Sequence, residues 1–321
     1  MYDRFKNWPE TNDFKWFEIR KGSDLPQQYH EEFIAEYLPM WDFWQREFRA
    51  FDAQPHLIWG EGHTPDYCED FRQPEPAVGV RIHEGEPRPM VLVCPGGAYR
   101  FRSAREAEPV AMQFLAAGMH AAVVHYSVAP SRYPCAALEL AYAVQQCRRH
   151  AKEWHVDTDR IFILGFSAGG HLCATLGTLW KEPIFRAALG DAYDWRPDAQ
   201  VLCYPVITMG PLSHSGSRDN LLGPDAPKAL CDALSLETRV SADTVPTFLW
   251  HTVTDDAVPV ENTLHYALAL RGAGVPFEMH QYETGCHGLS LCTPQTASAP
   301  RQIVPDNADW IAHAVRFLRR R

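Results

Sequence analysis

The sequence predicts an α/β fold in which helices cover both faces of a mostly parallel central sheet. Two observations carry that prediction. From residue 90 onward, short apolar runs rich in β-branched and aromatic residues alternate with helix-compatible stretches, the rhythm of a covered parallel sheet. Within that rhythm, residues 160–175 (RIFILGFSAGGHLCAT) read as a buried strand, a sharp turn at Gly165-Phe166-Ser167-Ala168-Gly169, and a helix. A chain of 321 residues with 46% in the hydrophobic set fills one large core, or a core with an appendage.

Taken in order, residues 1–25 alternate aromatic and charged side chains without a settled period. Between residues 27 and 51, Phe33, Tyr37, Trp41, Trp44, Phe48 and Phe51 recur three or four apart, which marks one face of a helix kinked or divided at Pro39. Residues 1–56 are therefore expected to be an N-terminal helical extension. Its aromatic stripe packs on the main domain, joins a subunit interface that makes a homo-oligomer, or lines the cleft. Residues 52–77, rich in Pro, Gly and acidic residues, read as an irregular connector. Residues 78–83 suggest an early edge strand, and 90–94 a buried strand that ends in Pro95-Gly96-Gly97-Ala98-Tyr99.

The remaining expected strands are 120–126, 201–206, 247–253 and 277–282, and the expected helices are 104–117, 136–153, 260–271 and 306–317. Two stretches interrupt the rhythm. Residues 208–236, rich in Gly, Pro, Ser and Asp with a short helix at 228–234, follow the carboxyl end of a strand, where open α/β sheets hold their ligands. This segment is expected to be a lid-like insertion in a main domain spanning 57–321. Residues 291–304 form a polar excursion before the last helix.

Composition excludes some classes. A formal net charge of −10, with no long basic patch, argues against a nucleic-acid partner. No segment reaches the length of a membrane span, and the charged N-terminus does not read as a secretory signal. The nine cysteines are scattered and often sit in apolar runs, which reads as free, buried thiols in a cytoplasmic protein. There is no glycine-rich phosphate loop and no H-x-x-x-H pair, so neither cofactor nor metal is expected.

The chemistry gathers around Ser167. Glycines flanking the turn leave room for a serine lifted out of the sheet. A serine hydroxyl is a weak nucleophile until a neighbouring base takes its proton, and that base needs an acid to fix its tautomer. The strand at 247–253 leads into Thr254-Asp255-Asp256, placing either aspartate where the acid belongs, while the other would cap the helix beginning near residue 260. The strand at 277–282 leads into Gly285-Cys286-His287-Gly288, a loop able to carry an imidazole over the serine. The order Ser, Asp, His matches one of the three common serine-triad orders and excludes the other two. An oxyanion needs N–H donors. Gly97 or Ala98 supplies one from the early loop, and Ala168 supplies another just after the serine. Tyr99 would then stand beside the site, as a cleft wall or a hydrogen-bond donor. Asp191, Asp194 and Asp198 read as a solvated loop, whereas Tyr193 and Trp195 offer aromatic faces on which a sugar ring can stack. His251, inside a strand, reads as structural.

Four segments carry a resemblance: VLVCPGGAY, DRIFILGFSAGGHLCATL, PTFLWHTVTDDAVPVENTLHYALALRGAGVPFEMHQY and GCHGLSL. From about residue 57 to 318 the chain resembles the alpha/beta-hydrolase superfamily. It is most similar there to bacterial carbohydrate acetyl esterases of the acetylxylan-esterase-like group, which is related to feruloyl esterases and formamidases. The resemblance implies an alpha/beta-hydrolase fold, with Ser167 as nucleophile, His287 as base and Asp255, four residues before Pro259, as acid. Pro95 stands where some relatives carry histidine and Ala98 where they carry a third glycine; an alanine keeps its N–H. The implied reaction is removal of acetyl groups from xylose-type oligosaccharides through an acyl-enzyme. The alternatives are a short-chain carboxylesterase, a feruloyl esterase or an arylformamidase using the same triad.

Overall fold

The computed structural model describes residues 56–57, 77–192 and 194–321. Eight strands form one sheet: β1 (His56–Leu57), β2 (Ala77–Arg81), β3 (Arg88–Cys94), β4 (His120–His125), β5 (Val156–Phe166), β6 (Ala199–Cys203), β7 (Thr247–Thr252) and β8 (Phe277–Tyr282). They lie in the order β1-β2-β4-β3-β5-β6-β7-β8. Pairing is parallel from β4 across to β8 and antiparallel where β2 meets β1 and β4, so the sheet is mixed, with its parallel part at the centre. The strand expected at 78–83 is β2, which has a neighbour on each side and is not an edge. The extension expected over residues 1–56 lies, apart from His56, outside the described residues.

The helices are α1 (Glu108–Ala116), α2 (Cys135–Arg149), α3 (Ala151–Trp154), α4 (Ala168–Leu179), α5 (Pro183–Leu189), α6 (Ser215–Leu222), α7 (Lys228–Ala233), α8 (Glu261–Gly272) and α9 (Trp310–Leu318). Strand geometry sends alternate side chains to opposite faces. On β3, Met90, Leu92 and Cys94 enter one core with residues of α2, α4 and α8, while Val91 and Val93 enter the other with α1 and α9. Because both faces are covered, the central strands are apolar throughout instead of alternating. Each such side chain contributes about 1.5–3 kcal/mol on burial. The expected helix boundaries shift where local chemistry intervenes. The helix expected at 104–117 opens as a separate 3-10 turn (Ala104–Glu106), and α1 begins with Pro109 in its first turn. The helix expected at 136–153 divides at His150 into α2 and α3.

The insertion at 208–236 carries α6 and α7 and is fastened at its base. Asn262 Oδ1 accepts the N–H groups of Ile207 (2.9 Å) and Thr208 (3.0 Å), and its Nδ2 donates to Leu212 O at 3.0 Å. Met209 N–H donates to Ser235 Oγ at 3.0 Å, closing the segment on itself.

One reading of composition needs correction. Cys135 is disulfide-bonded, and seven described cysteines are free. The thiols are therefore not uniformly reduced, and their state does not place the chain in the cytoplasm. No helix among the described residues is long and apolar enough to cross a membrane.

Candidate active site

All the parallel strands point their carboxyl ends to one edge of the sheet, and the loops leaving β3, β5, β7 and β8 meet there. The turn after β5 is forced by its glycines. A Cβ on Gly165 would lie 2.1 Å from Gly169 O, and one on Gly169 would lie 2.2 Å from Cys94 O and 2.5 Å from Pro95 O. Only glycine allows α4 to start so close to the strand and to the 95–98 loop. Between them Ser167 takes φ 52° and ψ −116°, a left-handed strain for a residue with a side chain. It is held by its N–H on Cys203 O (3.0 Å) and by its carbonyl, which accepts Val206 N–H (3.0 Å).

The structure brings together Ser167, His287 and Asp255. His287 Nε2 lies 2.8 Å from Ser167 Oγ, and His287 Nδ1 lies 2.8 Å from Asp255 Oδ2. The Asp255 side chain is 1% exposed and that of His287 20%. Asp255 Oδ1 accepts the N–H groups of Ala257 (2.9 Å) and Val258 (2.8 Å), so one aspartate both faces the histidine and turns the loop toward α8. Burial pushes its carboxyl up, but hydrogen bonds from His251 and His287 outweigh that and hold it well below the usual carboxylate range. Asp256 neither caps a helix nor touches an imidazole. Its Oδ1 accepts the His287 backbone N–H at 2.9 Å and its Oδ2 meets Arg301 at 2.8 Å.

The N–H groups of Gly97, Ala98 and Ala168 make no hydrogen bond to any described residue. Gly97, Ala98 and Tyr99 have φ of 130°, 55° and 54°, so the loop runs left-handed past the serine elbow. Tyr99 does not wall the cleft. Its side chain is 2% exposed and points inward, with its hydroxyl 3.0 Å from His171 Nδ1. Trp195 is also misplaced for a sugar surface. It precedes β6, hence sits at the amino edge of the sheet, opposite Ser167, and its indole N–H donates to Trp180 O at 2.7 Å. Tyr193 lies outside the described residues.

Several supporting residues were not legible in the sequence. Glu106, 3% exposed, accepts Gly96 N–H (2.9 Å) and the Tyr204 hydroxyl (2.7 Å), and that hydroxyl accepts Ser290 N–H (2.9 Å). One carboxylate thus links the 95–98 loop to the loop of His287. The Tyr204 ring stands edge-on to the His287 ring at 5.1 Å. Arg105 donates to Gly288 O and Thr296 O, at 2.6 and 2.9 Å, and fastens the same loop. From the insertion, Asn220 Nδ2 donates to Ala98 O at 2.8 Å. The only signal for these residues was their nearness to motif segments. Among the described residues, Glu278, His280 and His313 could hold a metal by type. However, Glu278 is paired with Arg320 at 2.6 Å and the two imidazoles stack at 4.2 Å, so the group is already satisfied by its own contacts.

Fold and elbow place the chain in the alpha/beta-hydrolase superfamily. The BD-FAE family profile matches residues 80–270, more than half of the chain, and the chain belongs to that family. It is 35% identical over 214 residues to endo-1,4-beta-xylanase B of Butyrivibrio fibrisolvens, a match covering 65% of this chain and 33% of that protein. It is 31% identical over 169 residues to an acetylxylan esterase of Xylanibacter ruminicola, covering 51% of this chain and 32% of that one. The chain therefore spans about a third of the length of these two curated relatives. Among solved structures, the acetyl ester-xyloside bifunctional hydrolase of Caldicellulosiruptor lactoaceticus superposes with a TM-score of 0.73 at 33% identity. That match covers 83% of this chain and 96% of that one.

Proposed function

We propose that the chain is a serine esterase that removes acetyl groups from short acetylated oligosaccharides of the xylose type, through an acyl-enzyme. The observation that carries this reading is the continuous hydrogen-bonded line from Ser167 through His287 to Asp255 at the carboxyl edge of the sheet. In the proposed reaction Ser167 Oγ attacks the ester carbonyl while His287 Nε2 takes its proton. Asp255 holds the proton of Nδ1 in place and stabilises the imidazolium as it forms. Gly97, Ala98 and Ala168 N–H groups stabilise the oxyanion, and their lack of other partners among the described residues leaves them available for it. His287 returns its proton to the departing sugar alcohol. Water, activated by the same imidazole, then releases acetate. The acetyl and xylose parts of the reading lean on the acetylxylan esterase and the acetyl ester-xyloside hydrolase among the similar proteins.

The test is acetate release from acetylated xylo-oligosaccharides by wild type and Ser167→Ala, beside a panel of acetyl, butyryl and feruloyl aryl esters. Ser167-dependent acetate release that falls steeply with longer acyl chains is the expected result. Turnover of the aryl esters without acetate from the sugars would keep the triad but transfer the substrate to the general carboxylesterases.

A further inference from the structure

Asp255 is approached by two histidines, and only one of them can reach the serine. His251, on β7, is fully buried, and its Nε2 lies 3.1 Å from Asp255 Oδ2, the same oxygen that meets His287 Nδ1. Its other nitrogen, Nδ1, lies 2.7 Å from the hydroxyl of Thr263, a fully buried residue of α8. The carboxylate only accepts, so Nε2 must carry a proton. In the neutral ring Nδ1 then has a lone pair, and the Thr263 hydroxyl donates to it. The four donors on Asp255 are therefore Ala257 and Val258 N–H on Oδ1, and His251 and His287 on Oδ2.

We infer that His251, its far nitrogen held by Thr263, is a positioning residue for the triad: it fixes the rotation of the Asp255 carboxylate and takes up part of the charge that Oδ2 offers to His287. The consequence is a moderated acid. A carboxylate bonded only to His287 would stabilise the imidazolium more and make the histidine slower to release its proton to the leaving group. The other titratable or charged groups around this pair are Asp256 on the loop after β7, its partner Arg301 beyond β8, His214 on the insertion, and the Tyr204 ring behind His287. None of them bonds to Asp255 in place of His251.

This inference rests on the triad proposed above, and its test separates the two. Proton-detected nitrogen NMR on wild-type protein reads the proton positions directly: His251 is expected to carry a proton on Nε2 that is hydrogen-bonded to Asp255. A ring protonated only at Nδ1 overturns the inference whatever the activity. In kinetics, His251→Phe is expected to lower kcat on an acetyl ester about tenfold and to move the acid limb of kcat/KM up by about 0.5–1 pH unit, with KM little changed. His251→Gln, which keeps a donor near Nε2, should restore most of both. Thr263→Val should shift the limb the same way by less, and Thr263→Ser should not. If His251→Phe fails to fold, the Gln and Thr263 variants carry the test. An unmoved limb in Thr263→Val, or Gln no better than Phe in folded proteins, refutes a role through Asp255 and leaves plain packing. Loss of all Ser167-dependent turnover in wild type would instead refute the triad and leave the NMR result standing.

Discussion

Two adjacent aspartates make the sharpest prediction, because their hydrogen bonds assign them unequal work. Consider Asp255→Asn. Oδ1 faces two fixed backbone N–H groups and Oδ2 faces two imidazoles, so an amide must put its NH₂ on one side. Backbone donors cannot change, whereas an imidazole can switch tautomer. The asparagine oxygen therefore stays on Ala257 and Val258, and its NH₂ donates to His287 Nδ1. The His287 proton then sits on Nε2, and the ring can no longer take a proton from Ser167. The same tautomer error in a serine protease triad costs on the order of 10⁴ in kcat, about 5.4 kcal/mol of barrier. Asp256→Asn keeps an acceptor for the His287 backbone N–H and loses only the exposed pair with Arg301, so turnover should stay within about fivefold. Asp256→Ala removes that backbone hydrogen bond as well and should cost about tenfold. Steady-state kinetics on an acetyl aryl ester, with circular dichroism to confirm folding, measures all three. Asp255→Asn within tenfold of wild type, or Asp256→Ala as damaging as Asp255→Asn, would refute the reasoning.

Other expectations follow from the same contacts. Glu106→Ala strands Gly96 N–H and the Tyr204 hydroxyl, and should destabilise the fold by about 2–4 kcal/mol in urea unfolding while lowering kcat; an unchanged midpoint would count against the linkage. Asn262→Ala leaves the N–H groups of Ile207 and Thr208 unpaired and should make residues 208–236 the first site of limited proteolysis, without which the segment's anchoring is misread. Burial lowers His83, His120 and His171 from the ordinary imidazole value to about 4. Between pH 6.5 and 4 the unfolded chain binds more protons than the folded one, so stability falls as pH falls through that window. The fully buried His171 alone should contribute about 1.4 kcal/mol per pH unit, and a denaturation midpoint flat from pH 6.5 to 4.5 would contradict this.

The parts of the site that were legible in the sequence are those in which a residue's type and its position relative to a strand end suffice. Ser167 follows an apolar run and sits between glycines that sterics require; Asp255 and His287 follow the next such runs; and the structure puts all three within hydrogen-bond reach. What sequence alone did not separate was direction. Tyr99 stands one residue beyond the 95–98 loop, yet its left-handed φ turns the ring into the core beneath it. Trp195 has the right surface chemistry, but it precedes its strand where site residues follow theirs, and parallel pairing puts those two positions at opposite edges of the sheet. That rule was available from the strand prediction and would have removed Trp195 from the site.

The supporting shell was illegible for a different reason. Glu106 and Tyr204 act across long sequence separations, and His251 and Thr263 across four and twelve residues, all through buried polar contacts that leave no local period or motif. A buried polar side chain costs stability unless it is paired. A lone Glu106 or His251 therefore marks a place where another group must be, without saying which. The three-dimensional answer is the same in both cases: a second carboxylate or a second histidine, placed behind the reacting groups, binds the loop that carries them. Ser167 is held in the elbow by backbone hydrogen bonds, but His287 rides on an irregular loop fastened by side chains, among them Asp256, Arg105 and the Glu106–Tyr204–Ser290 chain. The placement of His287 is then a property of those side-chain contacts more than of the sheet. Substitutions among them should reduce kcat before they raise KM, since they displace the histidine without touching the surface open to a substrate.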